Sequence, residues 1–370
     1  MIRTYKRKLI LTKEQSNRID SWIGACRTVY NLSLEIKIAT YKATGKSLHR
    51  YELIKQLPDL KKDYAWMQDV PAESLQSAVE RLEKSYQIFF KTCKNGGGYP
   101  KFASKRFYKS IHFKDFSIKN GVIKLPKIGV VKTFNDQKIL GTPKNAYIKK
   151  EISGYFICIQ CKDVPQKFVS ENQTIGLDMG IKHFCVDSDG CFIANPQHFK
   201  KYEDRLRIAN RSLARKKKGS NSWKKQATQL AKLHHTIGNV RKDFLHKEST
   251  KIANANNLVV MEDLKVNNMA KNKHLSKHIL DCGWGTFKTM LSYKTNVVLV
   301  NPKHTSQMCS NCQAIDKESR KTQSDYCCTS CGHVDNSDWN AAKNIHRKGI
   351  AEDRKREAMA CALVLEPLSN

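Results

Sequence analysis

Thr174-Ile-Gly-Leu-Asp-Met-Gly-Ile-Lys-His-Phe-Cys-Val-Asp-Ser-Asp-Gly-Cys-Phe-Ile-Ala194 reads as three short strands joined by two tight turns. Residues 174–178, 183–187 and 191–194 carry the β-branched and aromatic side chains of strands, while Met179-Gly180 and Ser188-Asp-Gly190 supply turn residues. Further on, Leu258-Val-Val-Met-Glu262 is a compact apolar run, as expected of a buried strand, and Val297-Val-Leu-Val300 repeats it. Helical periodicity fills the gaps, from 199 to 256 and from 280 to 291. Hairpin-joined strands followed by strands separated by helices predict a mixed α/β sheet.

Three carboxylates stand out by where they fall on that pattern. Asp178 ends the first strand, Glu262 ends the buried strand, and Asp338 opens the helical stretch Asp338-Trp-Asn-Ala-Ala-Lys-Asn-Ile345. Adjacent strand ends and a helix start can gather acids around metal ions, and hard oxygen ligands suit Mg²⁺ or Mn²⁺. Phosphoryl transfer with two metals ~3.5–4 Å apart needs such a set. Asp335, three residues before Asp338, is an alternative ligand. Asp263 follows Glu262 and in an extended strand faces the other side of the sheet. Asp187 and Asp189 read as turn residues.

The chain has 13 cysteines, an odd number spread through apolar segments, which argues against a disulfide scaffold. Cys309-x₂-Cys312, fifteen residues and Cys328-x₂-Cys331 have the spacing of a four-cysteine zinc ribbon. Four thiolates leave no open position for water, so the site reads as structural. Cys327 would lengthen the second knuckle by one residue and is set aside. Cys158-x₂-Cys161 lies in a strand-like stretch, where residues three apart point to opposite faces, and reads as packing. The histidines form no pair with convincing ligand spacing; His234-His235 falls within the long helical region.

Charge narrows the partner. Among 370 residues, 66 Lys and Arg against 34 Asp and Glu give a net charge of +32, and polyanions such as nucleic acid are the usual complement. No apolar run has the ~20 residues of a transmembrane helix, and the first residues lack a signal-peptide core, so a cytoplasmic location is expected. Thr12-Lys-Glu-Gln15 reads as a capping box, and helical spacing recurs from 11 to 94. Asn95-Gly-Gly-Gly98 breaks it. Tyr99-Pro-Lys-Phe-Ala-Ser-Lys-Arg-Phe-Tyr-Lys109 interleaves rings with cations, a pattern able to stack on bases and meet phosphates through Lys101, Lys105 and Arg106. Alternating segments at 121–125, 128–132 and 155–161 predict a small β-barrel or sheet, and 165–172 a polar linker. In the long helical region, Arg207, Arg211, Arg215 and Lys218 share one face, and Trp223, Ala227, Leu230, Ile237 and Phe244 form an apolar stripe.

Taken together, Gly176-Leu-Asp-Met-Gly-Ile-Lys182, Val260-Met-Glu-Asp-Leu264, Asp281-Cys-Gly-Trp-Gly-Thr-Phe287, Thr305-Ser-Gln-Met-Cys-Ser-Asn-Cys312 and Asp335-Asn-Ser-Asp-Trp-Asn-Ala-Ala-Lys-Asn-Ile345 resemble the TnpB family. These are insertion-sequence proteins related to type V CRISPR effectors. Tyr99-Pro-Lys-Phe-Ala-Ser-Lys105 and Leu245-His-Lys-Glu-Ser-Thr250 extend the resemblance to nearly the whole chain. It implies an RNase H-like, RuvC-type nuclease domain at 172–304 and 333–350, with Asp178, Glu262 and Asp338 binding Mg²⁺. It also implies a zinc ribbon at 305–332 holding Zn²⁺, a wedge-type β-barrel at 1–10 and 95–166, and a helical recognition domain at 11–94. Residues 351–370 are left as a tail. The implied activity is RNA-guided cleavage of double-stranded DNA in a bacterial or archaeal cell, at the nucleoid. A transposon-derived guide RNA reads the target while the protein reads a short adjacent motif. Gln76 matches a position facing that motif. One departure is visible: Tyr293-Lys-Thr-Asn-Val-Val298 is short, as if a helix end and its turn were missing, and the packing of the last strand is where it would tell.

Two other readings fit parts of the sequence. A nuclease-silent, RNA-guided DNA-binding protein such as a repressor would share every feature but would typically lack triad acids. A plain zinc-ribbon DNA-binding protein explains charge and cysteines and leaves the three acids unexplained.

Overall fold

The computed structural model describes residues 2–119, 121–134, 138–165, 173–272 and 274–364, with backbone alone for 357–364. The linker expected at 165–172 falls, from 166 on, outside the described residues. The chain divides into two compact units, 1–165 and 166–370. No helix among the described residues is long and apolar enough to cross a membrane.

In the first unit, β1 (Arg3–Ile10) precedes five helices: α1 (Lys13–Thr44), α2 (Arg50–Lys55), α3 (Leu57–Asp63), α4 (Ala65–Gln68) and α5 (Ala72–Thr92). Thr12 caps α1 as its sequence predicts. Its hydroxyl accepts from the Gln15 N–H, and the Gln15 side chain accepts from the Thr12 N–H, so two orphan donors are satisfied. Ile19, Trp22, Val29 and Leu34 of α1 share a core with Leu75, Val79 and Leu82 of α5. After the helices come β2 (Ser110–Phe113), β3 (Ser117–Lys119), β4 (Val122–Leu125), β5 (Gly129–Phe134), β6 (Thr142–Glu151) and β7 (Gly154–Lys162). With β1 they make one antiparallel sheet in the order β2-β6-β7-β1-β5-β4-β3. The ring of Trp22 lies 6.3 Å from that of Phe113, so helices and sheet bury one common core. Among the described residues no ladder joins β2 to β3, and the expected barrel is a sheet with two edges.

The second unit runs β8 (Thr174–Met179), β9 (His183–Asp187), β10 (Phe192–Ala194), α6 (His198–Ala214), α7 (Asn221–Ala255), β11 (Leu258–Glu262), α8 (Val266–Met269), α9 (Ser276–Cys282), α10 (Trp284–Ser292), β12 (Asn296–Val300), β13 (Asp325–Cys327), β14 (Val334–Asn336) and α11 (Ser337–Val364). Its five-stranded sheet has the order β10-β9-β8-β11-β12. The first three strands are antiparallel neighbours; β11 is parallel to both β8 and β12. Alternate side chains go to opposite faces. Leu177, Val259 and Met261 pack with Leu245, Phe287 and Leu291 from α7 and α10. On the other face Val260 and Val298 meet Ile345 of α11. That helix lies very close. A Cβ at Gly176 would come within 2.6 Å of the Ala342 carbonyl oxygen, and one at Gly349 within 2.2 Å of Val260.

Three sequence expectations change here. The helical region from 199 to 256 is two helices, because Gly219 takes φ +88° and Ser220 starts α7 by accepting from the Trp223 N–H at 3.1 Å. The helix expected over 280–291 is broken at Gly283, φ +70°. The stretch taken as a tail from 351 continues α11 to Val364. The short 293–298 link leaves the last strand fully paired, from Asn296 beside Leu258 to Val300 beside Glu262. Buried Thr295 donates to the Asn256 carbonyl at 2.8 Å, and the Lys294 ammonium reaches Ser249 Oγ at 2.6 Å, so this link is anchored to the end of α7.

Candidate active site

Strand parity and register bring the acids together. Asp178 shares a face of β8 with Gly176, and Glu262 shares a face of β11 with Val260; both belong to the side covered by α11. The parallel ladder pairs Met261 with Leu177, so Glu262 and Asp178 follow as the next residues on neighbouring strands. Asp338 stands in the first turn of α11. The electrostatics agree. Burial pushes the Asp178 carboxyl up to about 7, the Glu262 and Asp338 charges add to the rise, and Arg320 opposes it. Burial also raises Glu262, against a hydrogen bond from Thr305 and the Lys348 charge.

A buried Asp178 whose proton affinity is raised further by two nearby acids forms with them an open donor set that a divalent cation would hold ionised. The closed group of ligand atoms among the described residues is that of the four cysteines. Three hard oxygen ligands fit Mg²⁺ or Mn²⁺. The competing acids are occupied elsewhere. Asp263 points to the opposite face and pairs with Lys288 of α10 at 2.9 Å. Asp335 is almost wholly buried and pairs with Lys343 at 2.8 Å. Asp187 accepts the N–H groups of Asp189 and Cys191, as a turn residue does.

Several residues around the acids escape sequence reasoning. Buried Thr305 lies with its hydroxyl 2.5 Å from Glu262 Oε1 and donates to it. Arg320 lies 3.5 Å from Asp338 Oδ1. Neither has a spacing that ties it to an acid, since each arrives from the segment between β12 and α11. Asn340 and Asn344, four apart on α11, explain that arrival. The Asn340 carboxamide accepts from the Ser310 N–H and donates to the Met308 carbonyl, both at 2.8 Å. Asn344 donates to the Thr305 and Met308 carbonyls at 3.0 and 2.6 Å. Both asparagines are fully buried, and with partners so specific they fix the backbone leading into the cysteine segment.

The ligand atoms of Cys309, Cys312, Cys328 and Cys331 lie within 4.8 Å of one another. Cys309 Sγ is 3.8 Å from Cys331 Sγ, and Cys312 Sγ is 3.6 Å from Cys328 Sγ. Four sulfurs about 2.3 Å from one zinc stand about 3.8 Å apart at tetrahedral corners. The set therefore fits Zn²⁺. Two matching turns build it: the N–H of Gln313 bonds to the Cys309 carbonyl and that of Gly332 to the Cys328 carbonyl, each at 3.0 Å. Gln313 and Gly332 both take positive φ, at 65° and 72°. Backbone N–H groups led by Cys331 pull the Cys328 thiol down to about 6, favouring the thiolate a metal needs. Cys327 stays outside the group, and Cys158 and Cys161 take opposite faces of β7, half-buried and buried.

The expected nucleic-acid contacts are all exposed. Gln76 is on α5, Lys101, Lys105 and Arg106 precede β2, and Arg207, Arg211 and Arg215 line α6 and its C-cap. Arg207 is paired with Asp204 at 2.7 Å.

Family models described as "Probable transposase", "Cas12f1-like, TNB domain" and "Helix-turn-helix domain" match residues 156–273, 284–345 and 1–46. The chain is 30% identical over 376 residues to the Escherichia coli (strain K12) protein named "Putative RNA-guided DNA endonuclease InsQ", spanning 95% of this chain and 93% of that one. A Streptomyces pristinaespiralis protein named "Putative RNA-guided DNA endonuclease" is 29% identical over 380 residues, covering 99% of this chain and 92% of its own. In fold the chain is similar to the protein in "Cryo-EM structure of the Cas12f1-sgRNA-target DNA complex". There the TM-score is 0.54 at 16% identity, over 91% of this chain and 83% of that one.

Proposed function

The chain belongs to the TnpB family of insertion-sequence proteins, and on that premise we propose that it is an RNA-guided endonuclease. Its substrate in this reading is double-stranded DNA beside a short transposon-associated motif, and its guide is an RNA derived from the transposon end. The observation that carries the proposal is the convergence of Asp178, Glu262 and Asp338 on the face covered by α11, in a chain of net charge +32.

Asp178, Glu262 and Asp338 would hold Mg²⁺ (or Mn²⁺), and Cys309, Cys312, Cys328 and Cys331 would hold Zn²⁺. When bound, paired divalent ions activate water and stabilise the leaving oxygen in phosphodiester hydrolysis. The protein's own part is positional. Thr305 fixes the Glu262 carboxylate by its hydrogen bond. Arg320, beside Asp338, offers a cation where a scissile phosphate would approach three acids. Asn340 and Asn344 tie the cysteine segment to the helix that carries Asp338, so the ribbon supports the acids.

In the same reading, 172–304 with 333–350 is a RuvC-type domain and 305–332 its inserted ribbon, with α11 running on past 350 to Val364. Residues 1–10 with 95–166 are the wedge, and 11–94 the recognition domain. Gln76, Lys101, Lys105, Arg106, Arg207, Arg211 and Arg215 contact nucleic acid, in the cytoplasm of the host at its nucleoid. The test is separation of binding from cutting. Asp178→Ala, expressed with the RNA encoded beside the gene, is expected to keep RNA and target binding and to lose cleavage by at least about a thousand-fold. Loss of RNA binding in that variant would refute the assignment of Asp178 to the chemistry.

A further inference from the structure

We propose that a cavity in the first unit takes one unstacked nucleotide of the bound RNA. The proposal rests on the RNA-guided reading above and adds a site to it. The cavity, of about 510 Å³, lies between α1, the loop leading into β2 and the β6–β7 turn. That volume falls in the range of small-ligand sites.

Its charge is positive once committed partners are removed. Asp20 is occupied by the Lys150 ammonium and by the Tyr155 hydroxyl, which donates at 2.7 Å. Glu151 is held by Lys6 at 2.7 Å. Arg27, Lys105 and Lys109 also line the space, and among the described residues none of the three has an ion pair. Three unpaired cations around one cavity suit a phosphate. Between them lie the exposed edges of the largely buried Ile23 and Tyr108, the tyrosine ring itself held by the Arg81 guanidinium 4.5 Å from its centre, and these apolar edges are what a base would meet.

The cavity is also held in shape. The loop bearing Lys105 and Lys109 is clamped to α1 by Asn31, which donates to the Ala103 carbonyl at 3.2 Å and accepts from its N–H at 2.7 Å. The Lys150 N–H bonds to the Lys109 carbonyl at 2.8 Å. Gly24 lines the opening from inside α1, a helix of 32 residues, where glycine is less favourable than alanine. A Cβ added there meets no atom within 4 Å. The helix thus carries its weakest former where a longer side chain would intrude on the space. Folded RNA offers loops and bulges whose bases are free to enter such a site before any target DNA has been opened. RNA is accordingly the strand assigned.

The experiment uses the full-length chain and the RNA that copurifies with it, transcribed in vitro, fluorescently labelled and titrated at fixed salt. Gly24→Ala, which leaves most of the volume, is expected to bind within about twofold of wild type. Gly24→Leu, which projects into the cavity and leaves every cation in place, is expected to bind about tenfold more weakly, as is Arg27→Ala. Lys62→Ala, a change on α3 away from the cavity, is expected to bind as wild type does, and the Gly24 variants should melt no lower than wild type. RNA bound equally well by Gly24→Leu and wild type would overturn the cavity assignment alone. Loss of DNA binding with RNA affinity intact would overturn the choice of RNA. A wild-type chain that binds no RNA would remove the cavity and the guide reading together.

Discussion

The four cysteines lie between residues 309 and 331 and are gathered by two turns of the same shape, while Asp178, Glu262 and Asp338 arrive from two strands and a helix spread over 160 residues of sequence. Local backbone geometry suffices for the first site: each knuckle sets its own two sulfurs, and one hairpin, β13 with β14, carries the second pair. The second site exists only once the sheet has its register and α11 has docked through Gly176 and Gly349. The difference matters for energetics. Backbone N–H groups draw the Cys328 thiol down and so prepare it for a metal, whereas the acids meet by tertiary packing, and burial together with the neighbouring acid charges pushes Asp178 up. Both candidate sites lie in one unit, and Asn340 and Asn344 tie the segment leading to the cysteines to the helix that carries Asp338.

Substitution in the ribbon should give the largest structural effect. Cys309→Ser is expected to lose its zinc, with a binding free energy on the order of 10 kcal/mol at stake. Elemental analysis and limited proteolysis around 305–332 check this. A full molar equivalent of zinc in the variant would break the comparison at its first term.

Legibility followed the same division. The cysteine spacing, the Thr12 capping box and the strand-end positions of Asp178 and Glu262 are local signals, and each was readable from the chain. So was the exclusion of Asp263, because strand parity alone turns it away. Thr305 and Arg320 were not readable, since a hydroxyl and a guanidinium gain meaning only from the acid they meet. The break at Gly219 was hidden because helix-forming cations continue on both sides of it, and for the same reason the charged residues after 351 concealed the extension of α11. Edge pairing in the first unit is a long-range property, and short alternating segments cannot say whether a sheet closes.

A smaller effect tests the junction between the two sites. Thr305→Val removes the donor to Glu262 and is expected to lower cleavage about 10- to 100-fold, with zinc content unchanged. Cleavage at the wild-type rate would detach the ribbon segment from the chemistry. The smallest effect belongs to the exposed cations. Arg211→Ala should weaken nucleic-acid binding several-fold whatever the sequence and reduce the salt slope by about one, measured by titration across salt concentrations. An unchanged slope would remove α6 from the interface.

The most direct measurement is Mg²⁺-dependent cleavage of a randomised plasmid library by wild type and by Asp338→Ala, each expressed with the RNA encoded next to the gene. Guide-matched cutting by the wild type, ended by EDTA, restored by Mg²⁺ and absent from the variant, is the predicted result. Equal cutting by both proteins would contradict the acid site, and RNA-bound wild type that cuts nothing would replace the nuclease with a silent RNA-guided binder.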